Sequence, residues 1–175
     1  MHDREQDPDE ITIRQARGGD GAGMWCVVRD AGVLDLNSSY LYLLQVRDFA
    51  DTCVVAETAG EVVGFVTGYR RPSRPSSIFL WQVGMLTAMQ GRGLGKRLVR
   101  AFLKSPGARG ATTLETTITP SNSASRGLFR AIARELGAEC NVHPCFTADL
   151  FPESGHEDEE LFEIGPLDPA RVNRF

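Results

Sequence analysis

A glycine-rich segment with several cations, AMQGRGLGKRLV at positions 88–99, is the first part of the sequence whose residue types suggest a chemistry. It follows an apolar stretch, and Lys96 and Arg97 come directly after its last glycine. Glycines let successive backbone N–H groups face one concavity, and the N-terminus of a following helix adds a partial positive charge. Such a loop can bind a pyrophosphate. The alternative is a strand-to-helix turn in which the glycines serve only steric needs.

The loop matches neither of two familiar phosphate-binding patterns. A Walker loop, G-x-x-x-x-G-K-[ST], requires a hydroxyl residue after the lysine, and Lys96 is followed by Arg97. The dinucleotide pattern G-x-G-x-x-G is also absent, and the segment lies in mid-chain rather than after a first strand. The glycines therefore need a different explanation.

Two acidic segments are candidates for binding a cationic substrate. Asp35 lies in LDLNSSY, ahead of a predicted helix, and the run HEDEE at 156–160 lies between the last two predicted strands. Carboxylates can bind a cationic ligand or accept a proton. The ordinary alternatives are a turn or helix-capping role for Asp35 and a solvated surface loop for the acidic run.

Composition limits the class of protein. The net charge of −4 argues against nucleic-acid binding, and no apolar run reaches the length of a membrane span. The N-terminus MHDREQDPDE is acidic and lacks a signal-peptide core, so we expect a cytoplasmic protein. The four cysteines form no dense framework and are expected to be reduced. CNVHPC at 140–145 lacks the spacing and the fourth ligand of a zinc site, so we expect no metal.

The elements that must position these residues alternate between strands and helices. Hydrophobic periodicity and turn residues predict one α/β domain, with Asp20 capping the first helix and Ala59-Gly60 forming a hairpin turn. The predicted strands are 11–14, the two arms of the hairpin in 51–71, IFLWQVGML, ATTLETTIT, 142–148 and 161–164; the predicted helices are 20–31, one from Ser38 or Ser39, 93–103 and 124–136.

The segment from Gln90 to Gly95 after the fourth predicted strand resembles the Q/R-x-x-G-x-G/A signature of the GCN5-related N-acetyltransferase (GNAT) family. The resemblance implies a single GNAT domain over 11–167, between flexible termini at 1–10 and 168–175. Its fold would be α/β, with a mixed, mostly antiparallel central sheet splayed between strands 4 and 5 and flanked by about four helices.

The resemblance also implies which residues bind acetyl-CoA, the expected co-substrate. The backbone of the fourth strand would pair with the pantetheine arm at Val83 and Met85, and Asn122 in TPSNSASRGLF would lie near the same arm. The pyrophosphate would be held by the backbone amides of Gln90, Gly91, Arg92, Gly93, Leu94, Gly95 and Lys96.

Four segments together are similar to a narrower group within that family, the L-2,4-diaminobutyrate acetyltransferases of ectoine synthesis. The segments are VLDLNSSYLYLL, FLWQVGM, TPSNSASRGLF and GHEDEELFEIGPL. The similarity implies acetyl transfer from acetyl-CoA to the 4-amino group of diaminobutyrate by direct attack in a ternary complex. The product would be used in the synthesis of ectoine, a compatible solute. The similarity also implies a homodimer.

A diamino acid carries two ammonium groups, so its pocket should contain carboxylates beside aromatic or polar walls. We assign Asp35, Glu159 and Tyr40 to catalysis, and the substrate-binding set comprises Asp35, Trp81, His156, Glu157 and Glu159. Each of three of these residues has a structural alternative to its functional role. Trp81 could be a core residue, Tyr40 could be a packing residue of the second helix, and His156 could be a loop residue without a direct role.

Two positions depart from the wider family. Phe79 stands where many members have a catalytic glutamate, and Phe129 stands where many have a tyrosine that protonates the thiolate. The usual base and acid therefore cannot be transferred to this chain. Two alternatives stay open: another small-amine or polyamine N-acetyltransferase, and a non-catalytic acyl-CoA-binding module.

Overall fold

The computed structural model describes residues 10–32, 34–152 and 154–174. Every predicted helix and strand is present, with ends that differ by a few residues from the prediction. The elements are β1 Thr12–Gln15, α1 Asp20–Ala31, α2 Ser39–Asp48, β2 Cys53–Thr58, β3 Glu61–Arg70, β4 Ser77–Met85, α3 Leu94–Leu103, β5 Thr113–Ile118, α4 Ser123–Leu136, β6 Glu139–Phe146, β7 Glu159–Gly165 and α5 Pro169–Asn173. None of the helices in these ranges has the length and apolar character needed to cross a membrane.

The sheet is mixed, as predicted. In the described ranges it has seven strands in the order β1-β2-β3-β4-β5-β7-β6. The pairs β1–β2, β2–β3, β5–β7 and β7–β6 are antiparallel, whereas β4 and β5 are parallel. The parallel pairing covers only Ser77–Phe79 against Thr113–Glu115, although both strands continue beyond it. This short pairing agrees with the predicted splay between strands 4 and 5.

Two termini were expected to be flexible. Residues 1–9 lie outside the described ranges. At the other end, Pro169–Asn173 form the short helix α5, with the Asp168 carboxylate accepting a hydrogen bond from the Ala170 amide as its N-cap. The Arg171 guanidinium also donates to the Leu136 carbonyl at the end of α4. This fifth helix was not predicted, because five residues give no measurable periodicity.

The chain divides into two compact units. The first comprises the described residues up to Gly68 together with Gln82–Gly107. Its core gathers apolar side chains of α1, α2, β2 and β3, and α3 packs against β1 and β2 with its buried face. That core includes Met24, Val27, Val28, Tyr42, Val46, Cys53, Val55 and Phe65, and the buried face of α3 consists of Leu94, Leu98, Val99, Phe102 and Leu103.

The second unit comprises Tyr69–Trp81 and the described residues from Ala108 onward. Its helix α4 contacts β6 and β7 and buries one side, while Arg126 and Arg130 lie over the ring of Phe162 at 5.1 and 5.9 Å. Such contacts let cations cover an apolar strand without losing solvent. The buried residues of this layer are Leu114, Ile118, Phe129, Ile132, Ala133, Leu136, Phe162 and Ile164.

The predicted capping role of Asp20 is wrong. Gly19 is the N-cap of α1 and makes no side-chain capping bond, and Asp20 is already the first helical residue. The Asp20 carboxylate instead accepts hydrogen bonds from the Arg14 guanidinium at 2.7 and 2.9 Å and from the Arg17 amide at 2.6 Å. Arg14 also pairs with Glu57 on β2. The carboxylate therefore joins the start of α1 to β1 and, through Arg14, to β2.

Stability should depend on this carboxylate in a pH-dependent way. The hydrogen-bonded Arg14 guanidinium lowers the pKa of Asp20 below its ordinary value of 3.8, against the opposing effect of burial. A carboxyl with a depressed folded pKa stabilises the native state above its unfolded pKa and loses that contribution as the pH falls through the folded pKa. We therefore expect Asp20→Asn to lower the free energy of unfolding by about 2 kcal/mol at neutral pH. The difference from the parent should shrink below about pH 4.

Urea unfolding over a range of pH values measures this effect. Asp30→Asn is the matched control, because the Arg29–Asp30 pair is half exposed and joins neighbours in sequence. Exposed pairs contribute little, so the control should change stability much less. A deficit of Asp20→Asn that stayed constant down to pH 2 would contradict the assigned ion pair.

Candidate active site

The glycine loop connects β4 to α3 through two left-handed backbone positions. Gly91 has φ +72° and Gly93 has φ +74°, and Gly93 is the N-cap of α3 without a side-chain capping bond. A Cβ atom built on either glycine would meet nothing within 4 Å. The backbone amides at the start of α3 are thus not capped by a side chain, and the space beside the glycines is open. This geometry suits an anion bound by backbone N–H groups.

The other loop residues differ in what they can offer an anion. Leu94 is 1% exposed, so its side chain belongs to the core and only its backbone can contact a ligand. Gln90 and Arg92 are exposed, and Lys96 is half-buried in the first turn of α3. Arg97 donates to the Ile11 carbonyl at 3.0 Å, which commits one of its guanidinium nitrogens to the chain itself.

Strand β4 alternates between buried and half-buried positions along its length. Ile78, Leu80, Gln82 and Gly84 are buried. The half-buried set is Phe79, Trp81, Val83 and Met85. Since successive side chains of a strand point to opposite faces, the predicted site residues Trp81, Val83 and Met85 share one face, as their spacing indicates. Trp81 is not fully buried, which disfavours a purely core role.

Asp35 lies in the short segment between α1 and α2. The Asp35 side chain is exposed, and within the described residues its carboxylate makes no hydrogen bond or ion pair. The N-cap of α2 is Ser38, whose hydroxyl accepts from the Tyr40 amide at 3.3 Å. The capping alternative for Asp35 is therefore wrong, and its carboxylate can interact with a ligand.

Tyr40 stands in the first turn of α2, and 62% of it is exposed. A residue that exposed has no packing role inside its own unit, so the packing alternative loses its support. The buried tyrosine of the same helix is Tyr42, which is 0% exposed and packs edge-to-face on Phe65 at 6.0 Å between ring centroids.

The acidic run at 156–160 was expected between the last two strands, but its last two residues, Glu159 and Glu160, already belong to β7. Most of the run is held by specific partners within its unit. Glu157 accepts from the amide of Ser121 at 3.2 Å and also from its hydroxyl. Asp158 accepts from the Ala148 amide at 2.7 Å, and Glu160 pairs with Arg126 on α4. Glu157 and Asp158 are nevertheless exposed, as the alternative of a solvated surface loop expects. Glu159 is half-buried at the first position of β7, opposite Phe146 of β6.

His156 is ordered by an aromatic contact. Its ring stacks on Phe151 with 3.6 Å between centroids and 4° between planes, and Nδ1 lies 2.6 Å from the Glu157 carbonyl. If that nitrogen carries the proton, it donates to the carbonyl, and Nε2 is then left as an acceptor. The ring is thus fixed in the loop that also carries Glu157.

Two more predicted positions lie on α4. Asn122 is the N-cap of this helix, and its carbonyl oxygen accepts from the Ser125 amide at 3.0 Å. Its NH₂ group is the part of the side chain left to contact a ligand. Phe129, 1% exposed, belongs to the core of the second unit, where an aromatic ring without a hydroxyl needs no polar partner.

A buried charge cluster escaped the sequence analysis. Glu115 on β5 is 0% exposed, and its carboxylate accepts from Arg71, from Arg74 at 2.8 Å and from the Ser77 hydroxyl at 2.9 Å. Arg74 also donates to Glu163 at 2.7 Å. Glu115 pairs in register with Phe79, so both side chains lie on the same face of the sheet. The sequence feature that could have indicated this cluster is a glutamate inside the β-branched strand ATTLETTIT. The arginines that pair with it come from the segment RRPSR.

The cysteines and histidines do not gather into a metal-binding arrangement in the part of the chain that the structure describes. All four cysteines are free thiols. Burial raises the pKa of Cys53 to about 12, so this thiol is protonated at neutral pH.

Comparisons with known proteins show what this chain is similar to. Residues 20–133 match the model of the acetyltransferase (GNAT) family. The L-2,4-diaminobutyric acid acetyltransferase of Marinococcus halophilus is 46% identical, over 91% of this chain and 92% of that relative. The enzyme of the same name from Nocardia farcinica is 46% identical, over 89% of this chain and 80% of that relative.

A solved structure is also similar. The diaminobutyrate acetyltransferase of Paenibacillus lautus, in complex with its substrate L-2,4-diaminobutyric acid and coenzyme A, superposes with a TM-score of 0.86 at 39% identity. The match covers 90% of this chain and 95% of that one. The family model spans more than half of the chain, and the two relatives match the chain over 92% and 80% of their own lengths. The chain belongs to the GNAT acetyltransferase family.

Proposed function

We propose that this protein transfers the acetyl group of acetyl-CoA to the 4-amino group of L-2,4-diaminobutyrate and so provides N4-acetyl-2,4-diaminobutyrate for ectoine synthesis. The observation that carries the proposal is the 46% identity over 91% of the chain to a relative of that activity. The structural similarity to an enzyme bound to the diamino acid and coenzyme A supports the same substrate pair.

The reaction sets three demands on the chain. The attacking amine must be neutral, the oxyanion formed at the thioester carbonyl needs a hydrogen-bond donor, and the departing thiolate needs a proton. The amine lone pair forms the new C–N bond as the C=O π electrons move to oxygen, and the C–S bond breaks when the carbonyl re-forms and the thiolate departs. In this chain we assign the oxyanion contact to the β4 backbone at Val83 and Met85, on the half-buried face of that strand.

We assign the pyrophosphate of acetyl-CoA to the loop from Gln90 to Lys96. Its support is the pair of left-handed glycines and the N-terminus of α3 that no side chain caps. Asn122 is assigned to the pantetheine arm through its NH₂ group, because its carbonyl oxygen already caps α4.

Substitution of Gly93 tests the loop. A valine there would crowd the open space beside the glycine and strain a backbone with φ +74°. We expect Gly93→Val to raise the KM for acetyl-CoA by about tenfold or more, with a smaller effect for Gly95→Val, since one lost charge-assisted contact is worth that much. Steady-state kinetics at varied acetyl-CoA concentration measures this KM.

The matched control is Gly110→Val. Gly110 has nearly the same backbone angle, φ +73°, and equally open surroundings, but it lies outside the loop. Both variants therefore carry the same strain, and only Gly93→Val should affect acetyl-CoA. If a folded Gly93→Val protein had the same KM for acetyl-CoA as the parent, the assigned pyrophosphate site would be refuted.

The acceptor substrate is assigned to the residues predicted from the acidic segments. Asp35 and Glu159 would divide two tasks, one holding the 2-ammonium group and the other receiving the proton of the 4-amino group through water. Tyr40 is an exposed hydroxyl, Trp81 a half-buried aromatic wall and His156 an oriented ring. Glu157 contributes by fixing the acidic run to Ser121, in addition to any contact with substrate.

Neutralising either carboxylate should impair use of diaminobutyrate. We expect Asp35→Asn and Glu159→Gln each to lower kcat/KM for diaminobutyrate by one to two decades, about 1.5–3 kcal/mol. The affinity for acetyl-CoA should stay within about threefold, because the carboxylates do not belong to the cofactor loop. A thiol-release assay gives both constants, and isothermal titration gives the acetyl-CoA affinity.

Asp48→Asn provides the control for a change from carboxylate to amide, because Asp48 forms an exposed pair with Arg47 at the end of α2. The same assay with 4-aminobutyrate, which has a single amino group, and with diamines and polyamines identifies the class of substrate. A compound without the 2-ammonium group should be a poor substrate. Full activity of both variants would contradict the proposed diamino-acid pocket. So would a kcat/KM for 4-aminobutyrate equal to that for diaminobutyrate.

We further infer a homodimer in the cytoplasm. The homodimer rests on the family resemblance, and light scattering at micromolar concentration tests it. The cytoplasmic location is supported by four free thiols, one of them fully buried at Cys53, which is the pattern of a reducing compartment.

A further inference from the structure

The segment that carries Asp35, residues 34–38, lies ahead of α2 and belongs to no helix or strand. Leu34 at its start packs against the core of the first unit and lies close to β4, where a Cβ atom on Gly84 would stand 3.0 Å from a leucine methyl. Ser38 at its end is the N-cap of α2. The backbone of Asp35 lies between these two anchors, so its conformation depends on what holds the middle of the segment.

Hydrogen bonds to backbone oxygens hold that middle part. The indole N–H of Trp25 on α1 donates to the Asn37 carbonyl at 3.1 Å, which joins the segment to a helix. The Asn37 side-chain amide donates to the Asp35 carbonyl at 3.1 Å, which closes a local turn. Neither contact uses the Asp35 carboxylate, so its charge remains available to a ligand.

The indole that makes the first contact is itself well anchored. Trp25 is half-buried and packs against the core of the first unit, and the Arg29 guanidinium lies 5.3 Å from the centre of its ring. Tryptophan has a single polar group, an N–H that can only donate, and it usually finds a partner when it is buried. Because the donor belongs to a packed helix and the acceptor to a connecting segment, the bond restrains the segment.

Asp35 depends on such a restraint more than Tyr40 does. Tyr40 belongs to the first turn of α2, and its amide donates to the Ser38 hydroxyl at 3.3 Å, so the helix and its cap fix its backbone. Asp35 precedes the cap, and connecting segments are generally more mobile than the elements that they join. Ordering a mobile segment on binding costs affinity, whereas a segment that is already ordered avoids this cost.

We propose that Trp25 is a positioning residue for the acceptor substrate. Its indole N–H holds the Asn37 carbonyl and so keeps the Asp35 segment in the conformation that binds the diamino acid, although Trp25 itself need not touch the substrate. The inference rests on the proposed role of Asp35 and adds a residue of α1 to it. The contact does not involve the loop from Gln90 to Lys96, so binding of acetyl-CoA should not depend on it.

The test removes the N–H group and keeps the ring. Replacement of Trp25 by benzothienylalanine, in which sulfur takes the place of the indole N–H, deletes the donor with almost no change in ring size. We expect the KM for diaminobutyrate to rise about three- to tenfold, the cost of one hydrogen bond, and the KM for acetyl-CoA to change by less than about twofold. Trp25→Phe should show the same selectivity together with a loss of thermal stability, because the smaller ring leaves space against the core.

The matched control is Gln15→Met. The Gln15 side-chain amide donates to the Ala50 carbonyl at 3.2 Å, so this contact also joins a side-chain N–H to the backbone between two elements, but after α2 rather than before it. Its loss should leave both KM values unchanged. Thermal unfolding of all variants then separates a general loss of stability from a selective loss of diamino-acid binding.

A second comparison asks whether Trp25 acts through Asp35. In an Asp35→Asn background, the same replacement of Trp25 should raise the KM for diaminobutyrate by less than about twofold, because the contact that it loosens is already lost. An undiminished effect in that background would overturn the inference. If Asp35→Asn is impaired while the replacement of Trp25 has no effect, the inference alone fails; if Asp35→Asn is fully active, the role of Asp35 and the inference fall together.

Hydrogen exchange of the peptide that spans residues 34–38, measured without substrate, gives a readout independent of activity. Loss of the Trp25 N–H should accelerate exchange there, and Gln15→Met should not. Unchanged exchange, an unchanged KM for diaminobutyrate or an equal rise of both KM values would overturn the inference.

Discussion

The proposed acetyl-CoA site depends on helix α3 beginning without a side-chain cap. A helix N-terminus normally has its first amides satisfied by a side chain such as Ser or Asp, because unpaired amides are costly. Here the position is taken by Gly93, which has no side chain to offer, and the backbone before it turns twice through left-handed angles. The cost is offset by the apolar face of the helix, where Leu94, Leu98 and Phe102 are at most 1% exposed. Burial thus maintains a helix whose first turn remains available to an anion.

The carboxylates of the chain differ in how far the protein itself uses their charge. Asp20 pairs with Arg14, and Glu115 pairs with Arg71 and Arg74, so the chain itself already uses both charges. A fully buried carboxylate such as Glu115 would be destabilising without its two arginines and Ser77, since an unpaired buried charge costs several kcal/mol. Asp35 is the opposite case, an exposed carboxylate whose backbone, rather than its charge, is held by the protein. Proteins that bind cationic substrates need this second kind of group.

The sequence predicts local features well and long-range polar contacts poorly. The hairpin at Ala59-Gly60, the amphipathic α3 and α4 and the glycine loop each depend on residues close in sequence, so periodicity and turn chemistry suffice. Asp20 was misassigned because its main partner, Arg14, belongs to a neighbouring strand, and a residue before a helix usually caps it. The contacts of Glu115 with Arg71 and of Gln82 with Tyr42 join residues that are 44 and 40 positions apart. Nothing in the spacing of those residues reveals such pairs.

Gly84 links the shape of the sheet to the evolution of the segment before α2. A Cβ atom at this position would stand 2.9 Å from the Phe65 ring and 3.0 Å from the Leu34 methyl, closer than side chains normally approach. Phe65 is fully buried in the core and has little freedom to move, so a smaller residue in place of Leu34 would leave the contact with the ring unrelieved. A larger residue at position 84 would require smaller residues at both position 65 and position 34. Glycine is therefore expected to persist at position 84 among related enzymes, and the segment that carries Asp35 can stay close to the strand.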